Sequence, residues 1–243
     1  MTGFFDWNIL AGLGAGLVFG FGTVMLTRYV LRTLSTHIEA DVAAEEDFYP
    51  PVSLLITNSG RLDWVVFAVQ ISMTLLVFHF AGVSITAFAM ALFCMVSLTL
   101  AHVDIRTGLL PDALTLPLLG LGLLEQGVSG WSALIYAVAG GLVAYGLLRL
   151  VFGLFHWKTG RAGMGFGDFK LAAAIGAWVG VQAVPTVLLI ASLSGVVFGL
   201  LARCFRYLPA GNAFPFGPFL VFAGIIELLW PQHLQALLLS SPT

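Results

Sequence analysis

Long apolar runs alternate with short polar breaks along this chain, and the breaks set out its elements. Trp7 to Thr27 holds no charged residue, and about 20 apolar residues suffice for a helix to cross a hydrocarbon layer. Trp64 to Val103 is charge-free for 40 residues, too long for one crossing, and divides at Ala81-Gly82 into two. Ala113 to Leu124 predicts a short helix and Gly127 to Leu148 a longer one. Leu171 to Ala202 divides between Gly180 and Pro185 into a short helix and a full one, and Phe214 to Trp230 supplies the eighth. The pattern predicts an all-α fold, a polytopic membrane helix bundle of about eight transmembrane helices, some of them short. Glycines recur at four-residue spacing at Gly12, Gly16 and Gly20, at Gly176 and Gly180, and at Gly195 and Gly199. Small residues at that interval let helix backbones approach closely in lipid.

Composition sharpens this picture. The 243 residues are 59% hydrophobic and 9% charged, against about 25% charged in a soluble domain. The lipid bilayer is therefore the chain's medium. The longest polar stretch, from about Thr33 to Leu62, carries Glu39, Asp41, Glu45, Glu46 and Asp47 and then Tyr49-Pro50-Pro51. It is expected to be a solvated acidic linker, with a docking surface for a basic peptide as the alternative. It divides the chain into residues 1–63, a first transmembrane helix plus an acidic loop, and residues 64–243, a membrane-embedded core.

The charges also suggest an orientation. No basic stretch precedes the first apolar run, and Arg28 and Arg32 follow it, which suits an uncleaved first helix with its N-terminus outside. Alternating through eight spans from there sends all ten Lys and Arg residues to or near cytoplasmic ends. A formal net charge of −2 without a basic tract gives no support to a nucleic-acid partner. Cys94 and Cys204 show no paired spacing, so neither disulfide nor zinc chemistry is indicated. No metal site and no cofactor is expected.

The chemistry rests on acids beside the hydrocarbon, which are costly there and candidates for function. In GMGFGDFK, Asp168 follows Gly163, Gly165 and Gly167 and precedes an apolar helical run. A helix N-cap accounts for the aspartate. The glycines ask for more, either a tightly turned backbone or one that another segment approaches closely. In VDIRTGLLPDALTLP, Asp104 falls at a helix C-terminal end, where the macrodipole repels negative charge, and an ion pair with Arg106 is its structural alternative. Asp112, after Pro111, marks a helix start where capping is expected, and Pro117 kinks or shortens that helix. Lys170 and Arg106 are expected to hold helix ends at the interface, with pairing to Asp104 or Asp168 as the alternative. Pro215 and Gly217, in the run Phe214 to Pro218, shape a groove or simply start a helix. Two carboxylates that meet share one proton, so one is an acid while the other is a base toward water. No zinc-ligand spacing, GxSxG or phosphate loop competes with that chemistry.

At these residues the chain resembles the type IV prepilin leader peptidases, membrane aspartic proteases marked by a GxGD sequence and an upstream aspartate. The marks are VDIRTGLLPDALTLPLL, GMGFGDFKLAAAIGAWVG and FPFGPFLVFAG, and the resemblance is close from about Leu100 onward. It implies that Asp104 and Asp168 are a catalytic dyad, with Gly165, Gly167, Lys170, Pro111, Asp112, Pro215 and Gly217 shaping the site. It also implies an aspartic endopeptidase of the bacterial inner membrane, serving type IV pilus or type II secretion systems. Such enzymes remove a basic leader from prepilins or pseudopilins at the cytoplasmic face, ahead of an apolar helix. Many members carry a zinc-binding cysteine tetrad between the first two spans and methylate the new N-terminus. Residues 33–62 contain no cysteine, so this region is expected to be degenerate and the methyltransferase activity absent. The alternatives are a proton-coupled membrane transporter, a presenilin-like protease cutting within the bilayer, or an inactive assembly factor of a secretion system. Against the transporter stand the lack of an internal repeat and the placing of both motif acids on one face.

Overall fold

A computed structural model describes residues 3–42, 59–160, 165–204 and 215–230. These form eight α-helices and, among the described residues, no strand: α1 (Gly3–Val42), α2 (Ser59–Ala81), α3 (Ile85–Thr107), α4 (Asp112–Ser129), α5 (Trp131–Thr159), α6 (Phe166–Val179), α7 (Val184–Cys204) and α8 (Gly217–Leu229). Five of them, α1, α2, α3, α5 and α7, hold stretches long and apolar enough to cross a membrane. The others are shorter, at 18, 14 and 13 residues for α4, α6 and α8. The described residues form a multi-pass helical bundle whose eight helices follow the predicted order.

The breaks fall where the backbone must leave helical geometry. Gly82 (φ 64°) and Gly180 (φ 79°) adopt conformations that side chains with a Cβ rarely tolerate. After Gly82, Ser84 Oγ accepts the Ala87 N–H at 3.1 Å and opens α3. Several boundaries differ from the sequence expectation, and the local sequence explains two of them. The α4–α5 break comes at Gly130 rather than Gly127, because Gly127 continues the helix. Helix α1 also runs on to Val42, past Thr27 and into the expected linker. No glycine or proline lies between Gly22 and Pro50, so nothing in the backbone obliges the helix to stop where the lipid does. Residues 43–58 of the acidic linker, with Glu45, Glu46 and Asp47, lie outside the described residues, and residues 59–62 already belong to α2.

The chain forms two compact units, residues 1–107 and 108–243. In the first, α1 packs along α2 through its glycine face. A Cβ added at Gly12, Gly16 or Gly20 would press on Phe78, Ile71 or the Phe67 ring, at 3.2, 3.4 and 3.0 Å. Gln70, fully buried, donates its amide to the Ala91 carbonyl at 3.3 Å and ties α2 to α3.

In the second unit α6 is central. Leu171 to Trp178 are all buried, and α4, α5 and α8 pack around them. The α5–α6 crossing brings backbone against backbone, so that a Cβ on Gly140 would collide with the Gly176 carbonyl, and one on Gly176 with that of Gly140. Gly122 of α4 makes room for the Trp178 indole, 2.6 Å from where a Cβ would sit, and the indole N–H donates to the Leu118 carbonyl at 2.8 Å. Gly224 of α8 accommodates Ile175 in the same way. Of the glycine pairs expected to pack, Gly176 does so, whereas Gly180 forms the turn. Gly195 has only ordinary contacts and Gly199 nothing within 4 Å among the described residues. A four-residue interval marks a smooth helix face, but not which face meets a neighbour.

The crossing predicts a contrast within one helix. Gly140→Leu should destabilise the second unit by roughly 1–3 kcal/mol or more through overpacking. Gly153→Ala, at a position of α5 where an added Cβ would meet nothing within 4 Å among the described residues, should change stability by no more than about 1 kcal/mol. Thermal unfolding in detergent would compare the two. Equal effects would show that the crossing is not tight.

Candidate active site

Asp168 is reached through the turn that opens α6. Gly165, in extended conformation (φ −77°, ψ 152°), is the N-cap, and Asp168 is the third residue of the helix. Its Oδ2 accepts the Gly165 N–H at 3.2 Å, while its own N–H donates to the Gly165 carbonyl at 3.3 Å. The side chain thus satisfies one of the orphan donors of the helix start, as the capping expectation had it, but from three residues inside the helix. It is 6% exposed and faces the positive end of the helix dipole.

The two described glycines of the motif have different reasons. Neither has a positive φ, so tight turning does not explain them. Gly167 is the point of close approach: a Cβ there would lie 2.7 Å from the Leu110 Cβ and 3.4 Å from the Leu110 carbonyl. The loop before α4 therefore rests directly on the first turn of α6. At Gly165 an added Cβ would stand 3.7 Å from Asp168 Oδ2, an ordinary van der Waals contact. Gly163 lies outside the described residues.

A second link joins the same two segments. Lys170 Nζ donates to both carboxylate oxygens of Asp112 at 2.6 Å, 58 residues away in sequence. Asp112 does stand at the start of α4, but Pro111 is the N-cap and no side chain caps the helix. The expected capping role is thus replaced by an ion pair with Lys170, because a carboxylate at the first helical position can reach outward to a cation. Both partners are more than a third exposed, so the pair contributes orientation more than stability. On the other side of α6, Phe169 is fully buried and meets the rings of Tyr145, Phe152 and Phe166 edge-on. The Arg149 guanidinium lies 5.1 Å above the Phe166 centroid, a cation–π contact at the same helix end.

Pro215 and Gly217 precede and open α8. Phe216 is the N-cap, and a proline (Pro218) stands in the first turn, an arrangement suited to helix starts. Gly217 is buried, Pro215 partly so, and α8 packs on α6 and α7.

Asp104 belongs to the first unit. It stands in the last turn of α3, which continues to Thr107, and is 4% exposed. Arg106, its expected partner, bonds elsewhere as well: its Nε donates to His102 Nε2 at 2.9 Å and its Nη2 approaches Asp63 Oδ1 at 3.4 Å. Asp63 is 4% exposed and also accepts both Nε and Nη2 of Arg28 at 3.0 Å. Asp63 and Leu110 are the two residues that sequence patterns do not single out. An acid at the polar edge of an apolar run was the available signal for Asp63. Leu110 carries none, since an apolar residue in a loop can face either way.

Comparison with known proteins shows what the chain is similar to. The sequence profile of the Type IV leader peptidase family matches residues 90–200. A prepilin leader peptidase/N-methyltransferase of Aeromonas salmonicida (strain A449) is 44% identical over 153 residues, 63% of this chain and 53% of that protein. Over residues 90–200 this chain is similar in sequence to the type IV leader peptidase family. A protein of the same description from Pseudomonas aeruginosa is 42% identical over 156 residues, 64% of this chain and 53% of its own length. Another, from Burkholderia pseudomallei (strain 1026b), is 38% identical over 214 residues, 88% of this chain and 64% of that protein. The chain spans about half the length of the first two of these relatives. No solved structure matches it. Asp104, Pro111, Asp112, Gly165, Gly167, Asp168 and Lys170 all lie within the stretch matched by the leader peptidase family, and Asp63, Pro215 and Gly217 lie outside it.

The close approach at Gly167 yields a compensation test. Gly167→Ala should loosen the loop before α4, seen as faster proteolysis or hydrogen exchange at residues 108–111. Adding Leu110→Gly, which removes the opposing Cβ, should restore most of the protection. If the double variant is no better than the single one, the contact is not what the glycine serves.

Proposed function

We propose that this protein is a membrane aspartic endopeptidase that removes the N-terminal leader from type IV prepilins or pseudopilins at the cytoplasmic face of the bacterial inner membrane. The observation that supports it most is that Asp104 and Asp168 are buried acids at helix ends, both inside the stretch that matches the leader peptidase family. An acid in such a position is expensive and needs a function to account for it.

In this reading a water molecule between the two carboxylates is the nucleophile. One carboxylate takes a proton from the water as its oxygen attacks the amide carbonyl. The other donates its proton to the amide nitrogen as the carbon–nitrogen bond breaks, and no covalent enzyme intermediate forms. Asp168 suits the starting base: it lies at a helix N-end, and the Gly165 N–H fixes one of its oxygens. Asp104, in the last turn of α3, suits the acid. The substrate's apolar helix lies among the protein's helices and its basic leader in the cytoplasm. The distribution of Lys and Arg supports that orientation. Gly165, Gly167, Lys170, Pro111 and Asp112 hold the α6 end and the loop before α4, and Pro215 and Gly217 set the start of α8.

Residues 64–243 form the peptidase core in this reading, and residues 1–63 are a helix and linker without transferase chemistry. The relatives' description includes N-methyltransferase, yet residues 33–62 offer no cysteine for a tetrahedral thiolate site. Cleavage without methylation is therefore proposed.

Purified protein incubated with a prepilin should yield a product shortened at its N-terminus and lacking an added methyl group by mass. Asp104→Asn and Asp168→Asn should each lower the rate by on the order of 10²–10⁴-fold. Substantial cleavage by either variant would refute the dyad, and a methylated product would refute the restricted activity.

A further inference from the structure

Asp63 is a buried charge that the proposed chemistry does not use. It sits in the first turns of α2, its side chain 6% exposed, and both its oxygens are engaged. Oδ2 takes the fork of Arg28 from α1, and Oδ1 faces Arg106 of α3. One carboxylate thereby joins all three helices of the first unit. His102 completes the group. Its Nε2 lies 3.6 Å from Asp63 Oδ1, but the same nitrogen accepts the Arg106 Nε–H at 2.9 Å. A guanidinium only donates, so Nε2 holds a lone pair and the ring is neutral, with its proton on Nδ1. The approach to Asp63 is thus no ion pair, and His102 acts as a strut that holds the Arg106 fork at a fixed angle.

The placement on α3 gives this group its meaning. His102 and Arg106 are four residues apart and share a face. Asp104, two residues from each, lies about 200° around the helix from both. Anchoring the 102/106 face to Asp63 fixes the rotation of the last turn of α3 and so the direction in which Asp104 projects. The turn also ends directly at Gly108, in positive-φ conformation (φ 66°), so no further helix stiffens it.

Resting on the proposed dyad, we infer that Asp63 is a positioning residue, which locks the last turn of α3 through Arg106 and His102 and holds Asp104 in register for catalysis. It touches no reacting atom. Misplacing a catalytic group by about 1 Å costs on the order of 10²-fold in rate, whereas substrate binding is spared.

The test uses the full chain in lipid nanodiscs, with prepilin cleavage read as kcat and KM separately. A nitroxide at Ile105→Cys, on an exposed position of the same turn, with Cys204→Ser, reports mobility. Asp63→Asn should lower kcat by roughly 10–100-fold with KM within about twofold, and should raise the label's mobility. Asp63→Glu should recover most of kcat. Arg106→Lys keeps the charge but loses the fork; it should reproduce the defect and decides the matter if Asp63→Asn does not fold. Wild-type kcat in folded variants overturns the inference. So does a fall in kcat that merely tracks a loss of folded protein while the label is unchanged. Should Asp104→Asn cleave normally, the dyad reading fails, yet the label still judges the clamp because it requires no cleavage.

Discussion

Backbone against backbone at Gly140 and Gly176 is the contact on which the second unit depends. Lipid offers apolar helices no gain from hiding apolar surface, so association rests on how closely they fit. Two glycines at one crossing remove both side-chain layers and let α5 and α6 meet through their main chains. Helix α6 has only 14 residues, and this contact, with Gly122 on Trp178 and Gly224 on Ile175, surrounds it with close neighbours. A short helix held on several sides cannot tilt or rotate freely. Its N-terminal turn, with Asp168, is therefore fixed by packing along the rest of its length.

The two units solve the problem of polar groups in lipid in different ways. In the first, charge is neutralised internally: Asp63 faces two guanidinium groups, and Gln70 and several threonines bond along or between helices. In the second, the buried carboxylates are Asp168 in the first turn of α6 and Glu227 in α8, and the ion pair of Lys170 with Asp112 sits at the exposed end. Burying a charge network is costly unless each member is paired, and the first unit meets that condition at Asp63 with both oxygens.

Much of the fold was legible because its punctuation is local. Gly82 and Gly180 announce helix breaks by the backbone they permit, and charge-free runs of fixed length announce spans. What was not legible involves partners distant in sequence. Asp112 shows every local sign of a cap, yet Lys170, 58 residues on, takes its carboxylate. Gly140 lies in an apolar run with nothing to distinguish it from Gly146 or Gly153, where an added Cβ would meet nothing within 4 Å among the described residues. The length of α1 escaped a span-based reading, because hydropathy marks where lipid ends and not where hydrogen bonding does. In the site, the acids and glycines of GMGFGDFK stood out at once. The reason for Gly167, the Leu110 loop, became visible only in three dimensions.

Trp178 carries a consequence of a different kind. Of the six tryptophans it alone is enclosed, 3% exposed against 38–81% for Trp7, Trp64, Trp131, Trp157 and Trp230. Its indole is pinned by a hydrogen bond to α4. It stands on the helix of Asp168, about 15 Å along the axis. The protein thus contains its own optical gauge: light emitted from that ring reports whether the α4–α6 joint is shut, with no foreign dye attached.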